Sequence, residues 1–439
     1  MAKYRIIGNM TGNSMDAIDL VLTEFDGDKM RDICTYTKPY SQDMQQKIEH
    51  LRRLVYNKTS AEILSLPEFL PLHDEYIRQV ADCINEMCAL NNIDKSSINA
   101  IGFHGKTLDH NPPSKARLEG TKPYTLQIGS GKMLADLTQI PVVYDFRSAP
   151  LMAGFDGAPL VPPHNAHIAA SEGDGFYYNG GNTSNFALIA NGVAELGADA
   201  GPFNEYTDNY IRQHTDLAFD ENGKIGAAGS LNTEFLQYLF NTGRQYYETP
   251  LPKSGDPAYY HKDEIFAYAE QQKIPFNNAV HTFEYFAAYI AIQALTLIEK
   301  SISLPSAFIL FGGGWKNPLV RKSFDDLLHG KGFVLPEHQT AFAEFSRRFA
   351  QSPTVKQSAF GDYMEARLFA DLARYKLENK AWEIPEIIKA GKTVVCGVTA
   401  LPQANRSGYD DCINRAAKGW QERIANELCS SRASLNGRT

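Results

Sequence analysis

Four clusters of glycines, amides, hydroxyls and carboxylates hold the chemistry open to this chain. The first is Gly8-Asn9-Met10-Thr11-Gly12-Asn13-Ser14-Met15-Asp16, with Asp19 just beyond. Its turn glycines, hydroxyls and amides offer several donors to an anion, and Asp16 and Asp19 could orient Mg²⁺ or a water. An ordinary hairpin loop would have a similar composition. The second is Asp199-Ala200-Gly201-Pro202-Phe203-Asn204, ahead of the helix-like run Glu205–His214. A carboxylate at a strand end suits a general base that takes a proton from an attacking hydroxyl or water. The helix start behind it suits phosphate, although a turn aspartate also serves as a plain helix cap. The third is Phe311-Gly312-Gly313-Gly314-Trp315-Lys316-Asn317-Pro318, where three glycines let backbone approach a flat or charged ligand closely, or let a strand pack tightly on a helix. The fourth, His104-Gly105-Lys106-Thr107, puts a histidine at the mouth of a buried strand, where it binds a sugar hydroxyl or stays a satisfied structural group. Asp145-Phe146-Arg147 and Gly361-Asp362-Tyr363-Met364-Glu365-Ala366 are polar clusters of the same kind.

Other chemistries fit poorly. The chain has no GxxxxGK[ST], no HExxH and no GxSxG, and GGGWKN lacks dinucleotide-fingerprint spacing. Its 11 histidines are scattered, with His164 and His167 the nearest useful pair, so any metal should be Mg²⁺ arriving with nucleotide. Lysine and arginine number 43 against 51 aspartates and glutamates, a net charge of −8. That lacks the basic footprint of a nucleic-acid binder, yet leaves phosphate ligands open through backbone N–H groups and Mg²⁺. Six cysteines without a CxxC pair point to free thiols in a reducing compartment. An N-terminus without an apolar stretch, and no run of about 18 apolar residues, complete the expectation of a cytoplasmic protein without a membrane span.

The elements that must position these clusters follow from periodicity. Tyr4–Gly8 and Ala17–Phe25 read as two strands of a hairpin with a polar tip. Asp43–Tyr56 and Phe69–Leu90 have helical spacing. Ala100–Phe103, Tyr124–Ile128 and Pro141–Tyr144 read as strands, with a helix over Gly131–Leu137. Past a helix at Pro163–Ala170 comes a second strand pair, Gly175–Tyr178 and Asn185–Ile189. Its tip is Asn179-Gly180-Gly181-Asn182-Thr183-Ser184. A further strand, Val193–Leu196, closes at the glycine-rich turn containing Asp199. Two strand–glycine turn–strand units about 170 residues apart form a weak internal repeat. They predict two lobes, each offering a glycine turn to a shared cleft. The later chain is helical at Asn278–Ser301, Pro318–Leu328, Gly361–Leu377 and Asp410–Cys429, with a buried strand at Ala307–Phe311. The expected division is an N-terminal lobe over residues 1–172, completed by a C-terminal helix within about 380–439, and a C-terminal lobe over 173–380.

Taken in order, the motifs resemble the anhydro-N-acetylmuramic acid kinase family. Gly8-x-Met10-Thr11-Gly12-x-Ser14-x-Asp16-x-x-Asp19 is similar to its G-x-M-S-G-T-S-x-D-G-x-D opening, and His104-Gly105-Lys106-Thr107 to its H-G-Q-T. Thr125–Gly129 matches T-L-Q-I-G. Asp145–Arg147 matches D-F-R, and Gly157–Pro162 matches G-A-P-L-V-P. Asp199–Asn204 resembles D-T-G-P-G-N. Gly312–Gly314 with Asn317-Pro318 matches G-G-G-x-x-N-P, and Gly361-Asp362 with Glu365-Ala366 matches G-D-x-x-E-A. The departures are Asn13 for threonine, Asn182 for a tip glycine, Phe203 for glycine, and Lys253-Ser254-Gly255-Asp256 where the family has K-S-T-G-R-E.

The resemblance implies an α/β, two-lobed actin-like ATPase (ribonuclease H-like) fold with an interlobe active-site cleft. It implies a kinase that opens 1,6-anhydro-N-acetylmuramic acid with water and phosphorylates O6, in peptidoglycan recycling. ATP phosphates would lie over Gly12, Asn13 and Ser14 and near Gly181 and Gly201, with Asp16 and Asp19 at the same loop. Adenosine would lie on Gly312, Gly313 and Gly314 beside Asn317. Mg²⁺ would be held through water by Asp16 or Asp199. Asp199 would be the base, and His104, Thr107, Arg147 and Glu365 would contact the sugar. Partners would be the sugar and ATP, with no nucleic acid or membrane, in a chain able to form a homodimer. A same-fold kinase for another anhydro sugar, or a nucleotide-binding paralogue with little catalysis, are the alternatives.

Overall fold

The hairpin that opens the chain is built from apolar, β-branched runs. Strand β1 (Lys3–Met10) pairs antiparallel with β2 (Ala17–Asp26) in the register Ile7↔Leu22 and Met10↔Asp19. A third strand, β3 (Lys29–Pro39), extends the meander; its alternating charged residues hide it from a hydrophobicity reading. The structure, a computed structural model, describes residues 3–402 apart from 13–16, 28, 57, 59–61, 64, 114, 115, 117–121, 159, 254, 256 and 383–393. Asn13, Ser14 and Asp16, and the helix expected at Asp410–Cys429, lie outside the described residues.

The described residues of Met1–Gly157, Glu365–Glu383 and Lys392–Thr439 form one compact unit, and those of Ala158–Met364 form another. In the first, β1 is followed in parallel by β4 (Ala100–Phe103) and then β7 (Val142–Tyr144). The strand Val398–Ala400 adds antiparallel at the β7 edge. Strands β5 (Lys106–Asn111) and β6 (Tyr124–Ile128) pair only with each other, in a separate two-stranded sheet. One face of the main sheet, through Ile7, Leu20, Leu22 and Ile101, packs under the helices Gln42–Val55 and Phe69–Leu90. The first of these is capped by Ser41, whose Oγ accepts from the Met44 N–H at 3.2 Å. It turns Met44, Ile48, Leu51 and Val55 inward at helical spacing.

The second face of that sheet meets the helix Met364–Leu377 backbone to backbone. A Cβ on Gly8 would stand 1.8 Å from the Ala366 carbonyl oxygen, and one on Gly102 would stand 2.0 Å from that of Phe369. Arg367 on this helix is buried and grips Asp32 of β3 with a forked guanidinium, Nε lying 3.0 and 3.1 Å from the two carboxylate oxygens. This helix therefore belongs with the first sheet, so the boundary falls at Glu365 rather than near residue 380.

The second unit repeats the plan. Strands β8 (Gly175–Gly180), β9 (Thr183–Ala190) and β10 (Val193–Pro202) form an antiparallel meander. β11 (Ala307–Phe311) and β12 (Thr354–Gln357) add in parallel beyond β8. Its strand order β10-β9-β8-β11-β12 is that of β3-β2-β1-β4-β7. The helix Val161–Glu172 packs on β9 and β10, which is why the division comes at Gly157 and not after residue 172. β10 also runs past the turn expected at Gly197. Asp199 pairs with Asn185 and Gly201 with Ser184 across a bulge, so Asp199 stands within a strand. The helix Phe276–Thr296 is buried almost all round and forms the centre of this unit's core.

Gly8→Ala should destabilise the protein by about 3 kcal/mol or more, since a methyl group there meets rigid backbone. Gly181→Ala, whose Cβ would find its nearest neighbour at 3.6 Å, should cost less than about 1 kcal/mol. Thermal unfolding of both variants checks the contrast.

Candidate functional site

In the second unit Asp199 is held from two directions by one segment. Its backbone N–H donates to the Lys253 carbonyl at 2.9 Å, and its Oδ2 accepts from the Gly255 N–H at 2.7 Å. Lys253 fixes that segment in turn. Its buried ammonium donates to the carbonyls of Tyr246 and Tyr247, both at 2.9 Å, and lies 4.7 Å from the centre of the Tyr246 ring. Burial lowers the Lys253 pKa to about 8, with Asp199 acting the other way. The lysine thus orders this segment without the arginine and glutamate of K-S-T-G-R-E.

The second hairpin tip, the Asp199–Asn204 segment and the triple glycine come together around Phe203. The N–H groups of Phe203 and Asn204 donate to the carbonyls of Asn182 and Gly181 at 2.7 and 3.1 Å, which turns the chain into the helix Glu205–His214. Ser184 Oγ donates to the Gly201 carbonyl at 3.2 Å. Phe203 is buried against Trp315, ring centres 4.6 Å apart. Cβ atoms on Gly180 and Gly314 would strike the Phe203 ring at 2.7 and 2.6 Å. Its bulk is therefore absorbed by packing.

The three glycines divide their duties. Gly312 has φ +93°, and a Cβ there would meet Asn179 Oδ1 at 2.5 Å; Gly314 is likewise closed in. Gly313 has nothing within 4 Å of a built Cβ and is open to a ligand. Beyond it a cavity of about 500 Å³ is lined by Trp315, Lys316, Arg321, Gln357, Ser358 and Gly361. Asn317, the next polar residue, is engaged at both ends. Its Oδ1 caps the helix Pro318–Leu328 through Leu319 N–H at 2.9 Å, and its Nδ2 donates to Glu284 Oε1 at 2.6 Å. Glu284 is wholly buried. Desolvation, and after it the nearby Asp220 carboxylate, push its pKa up to about 9, so it is a neutral acid at pH 7.

In the first unit, His104 is buried with its Nδ1 2.9 Å from the Gly105 carbonyl, which makes Nδ1 the protonated nitrogen, and its Nε2 accepts from Arg147 Nε at 3.1 Å. Burial, and then the Arg147 cation, hold its pKa well below the usual histidine value, so it is a neutral acceptor. Arg147 also donates to the Gly157 carbonyl at 2.7 Å. Glu365 is half-buried, and burial followed by the Asp19 charge raises its pKa against the pull of Arg147 and Lys106. Asp19 accepts from Thr37 Oγ1 at 2.8 Å. Thr107 accepts from Gln127 Nε2 at 3.3 Å. The Gly12 carbonyl accepts from Lys106 Nζ at 2.9 Å. The structure thus groups His104, Arg147 and Glu365, with Lys106 joining Gly12 to them, and sets Thr107 against β6.

Sequence reasoning gave no role to Lys106, Lys253 or Glu284. Glu284 had a signal, since it is the only acid in the run Phe276–Thr296. The buried lysines stand within two of the motifs, but their burial follows from tertiary packing and not from local sequence.

A doubled sheet of this strand order, with an antiparallel meander leading into parallel strands, defines the actin-like ATPase class of ribonuclease H-like units. Within that class the chain belongs to the anhydro-N-acetylmuramic acid kinase family, whose match spans residues 4–402. It is 28% identical to the anhydro-N-acetylmuramic acid kinase of Haemophilus influenzae over 89% of this chain and 96% of that protein. It is 27% identical to that of Vibrio vulnificus over 90% and 98%. Among solved structures, the ROK family glucokinase from Streptomyces griseus in complex with glucose and AMPPNP aligns over 84% of this chain and 99% of that one, at 14% identity and TM-score 0.36. No described helix is long and apolar enough to cross a membrane.

Because the folded protein holds the Glu284 proton and the unfolded chain releases it near the ordinary carboxyl pKa of 4.5, stability should fall as pH rises from about 4.5 towards 9. Glu284→Gln keeps the acceptor for Asn317 and carries no titrating proton. It should flatten that slope, melting higher than wild type at pH 8.5 and close to it at pH 5, as differential scanning calorimetry would show.

Proposed function

We propose that this chain is an ATP-dependent kinase that opens 1,6-anhydro-N-acetylmuramic acid with water and phosphorylates the released O6. The observation that carries the reading is the clamp on Asp199. One carboxylate oxygen is held by the Gly255 N–H and the backbone by the Lys253 carbonyl, which aims a half-buried base on a strand bulge. Membership of the kinase family and a glycine turn with Gly313 open beside a cavity of nucleotide size support it.

Asp199 takes a proton from water, and the water oxygen bonds to the anomeric carbon. The bond from that carbon to O6 breaks, and O6 takes the γ-phosphoryl group as ADP leaves. The proton on Asp199 then passes to solvent. Neutral His104 offers no charge, so Arg147 and Lys106 are the cations of the sugar-facing group, while Glu365 accepts hydrogen bonds from sugar hydroxyls. Adenosine would lie against Gly313, the open member of the triple glycine, and the Trp315 cavity. Asp199 suits Mg²⁺ held through water, as hard oxygen donors do, and Asp16 would join it. Bound there, the ion offsets phosphate charge.

Coupled ADP release with purified protein tests the proposal. Release should depend on 1,6-anhydro-N-acetylmuramic acid, and Asp199→Asn should lower kcat by roughly 10²–10⁴-fold with the fold unchanged by circular dichroism. Normal turnover in that variant would remove Asp199 from the mechanism.

A further inference from the structure

Lys106 is 3% exposed, yet its ammonium makes a single hydrogen bond among the described residues, to the Gly12 carbonyl at 2.9 Å, and no ion pair. An ammonium carries three N–H donors, and a buried charge is normally paired. Two donors thus remain without an acceptor among the described residues. The charges around it are Glu49 and Arg52 on the helix Gln42–Val55 and Glu365 at the head of the helix Met364–Leu377, with His104 neutral at the strand mouth. Arg52 opposes the cation and the two acids favour it; burial is the largest influence and lowers the pKa to about 8. An anion placed against Nζ would relieve the whole arrangement. Lys106 stands where the family motif H-G-Q-T has a neutral glutamine, so the charge is this chain's own.

We infer that the Lys106 ammonium is a receptor for an anionic oxygen of the bound ligand, either the carboxylate of the sugar's lactyl group or the γ-phosphoryl group of ATP. The inference rests on the kinase reading above for its choice of ligands. A mere tether for Gly12 would not need a charge.

The test uses Lys106→Gln and Lys106→Met in the full chain. Kinetics are compared on 1,6-anhydro-N-acetylmuramic acid and on 1,6-anhydro-N-acetylglucosamine, which lacks the carboxylate, and AMPPNP binding is measured by calorimetry. A carboxylate receptor predicts that KM rises about tenfold or more on the first sugar and stays within about twofold on the second. A phosphoryl receptor predicts that AMPPNP affinity falls about tenfold and that kcat falls on both sugars. In either case the unliganded variants should melt no lower than wild type, because an unpaired buried charge has been removed. Unchanged KM, kcat and AMPPNP affinity in the glutamine variant, or a lowered melting temperature with ligand binding intact, would overturn the inference. If the wild type turns over neither sugar, the kinase reading fails by itself. Calorimetry with AMPPNP and each sugar then decides Lys106 alone: weaker binding in the variants upholds it, and equal binding removes it.

Discussion

The first unit depends on one close approach. The helix Met364–Leu377 lies on β1 and β4 with only hydrogen between the backbones at Gly8 and Gly102. Any side chain at either position would lift the helix by the width of a methyl group or more. Because Ala366 and Phe369 are the contact points, the position of Glu365 is set by packing one residue away. The same helix brings Phe369 to 4.6 Å from the His104 ring and sends Arg367 to Asp32 at the far edge of the meander. The group of His104, Arg147 and Glu365 is thus fixed by a helix that the chain supplies late, through contacts made by residues outside that group.

The second unit solves a different problem, how to keep charge in a dry interior. Lys253 donates to two carbonyls and lies over a tyrosine ring, so its ammonium is solvated by dipoles. Glu284 takes the other course and keeps its proton. Both choices serve the backbone around the site: the lysine orders the segment that grips Asp199, and the acid orders the asparagine that ends the glycine turn.

The hairpins, the buried strands and the main helices were legible because hydrophobic period and glycine turns are local signals. The doubled sheet could be read from the spacing of Gly8–Gly12 and Gly180–Gly181. What failed was whatever depends on partners distant in sequence. β3 looked polar because its edge position leaves its residues half-exposed. β10 was expected to end at Leu196, but pairing with Thr183, Ser184 and Asn185 carries it to Pro202. For the triple glycine the sequence left a ligand turn and tight packing both open, and packing against Asn179, Asn204 and Phe203 accounts for two of its members. Phe203 stands where the family has glycine, and the space it needs is provided by Gly180 and Gly314, which precede and follow it by many residues.

The discontinuity of the first unit bears on how the chain emerges from the ribosome. Its first 157 residues appear without the helix that roofs β1 and β4, and that roof follows only after the whole of Ala158–Met364 has been made. The described residues of the second unit, Ala158–Met364, are contiguous and can complete their core while Gly8 and Gly102 still stand uncovered. Synthesis order thus leaves the strip of β1 and β4 around Gly8 and Gly102 uncovered until the last part of the first unit is made.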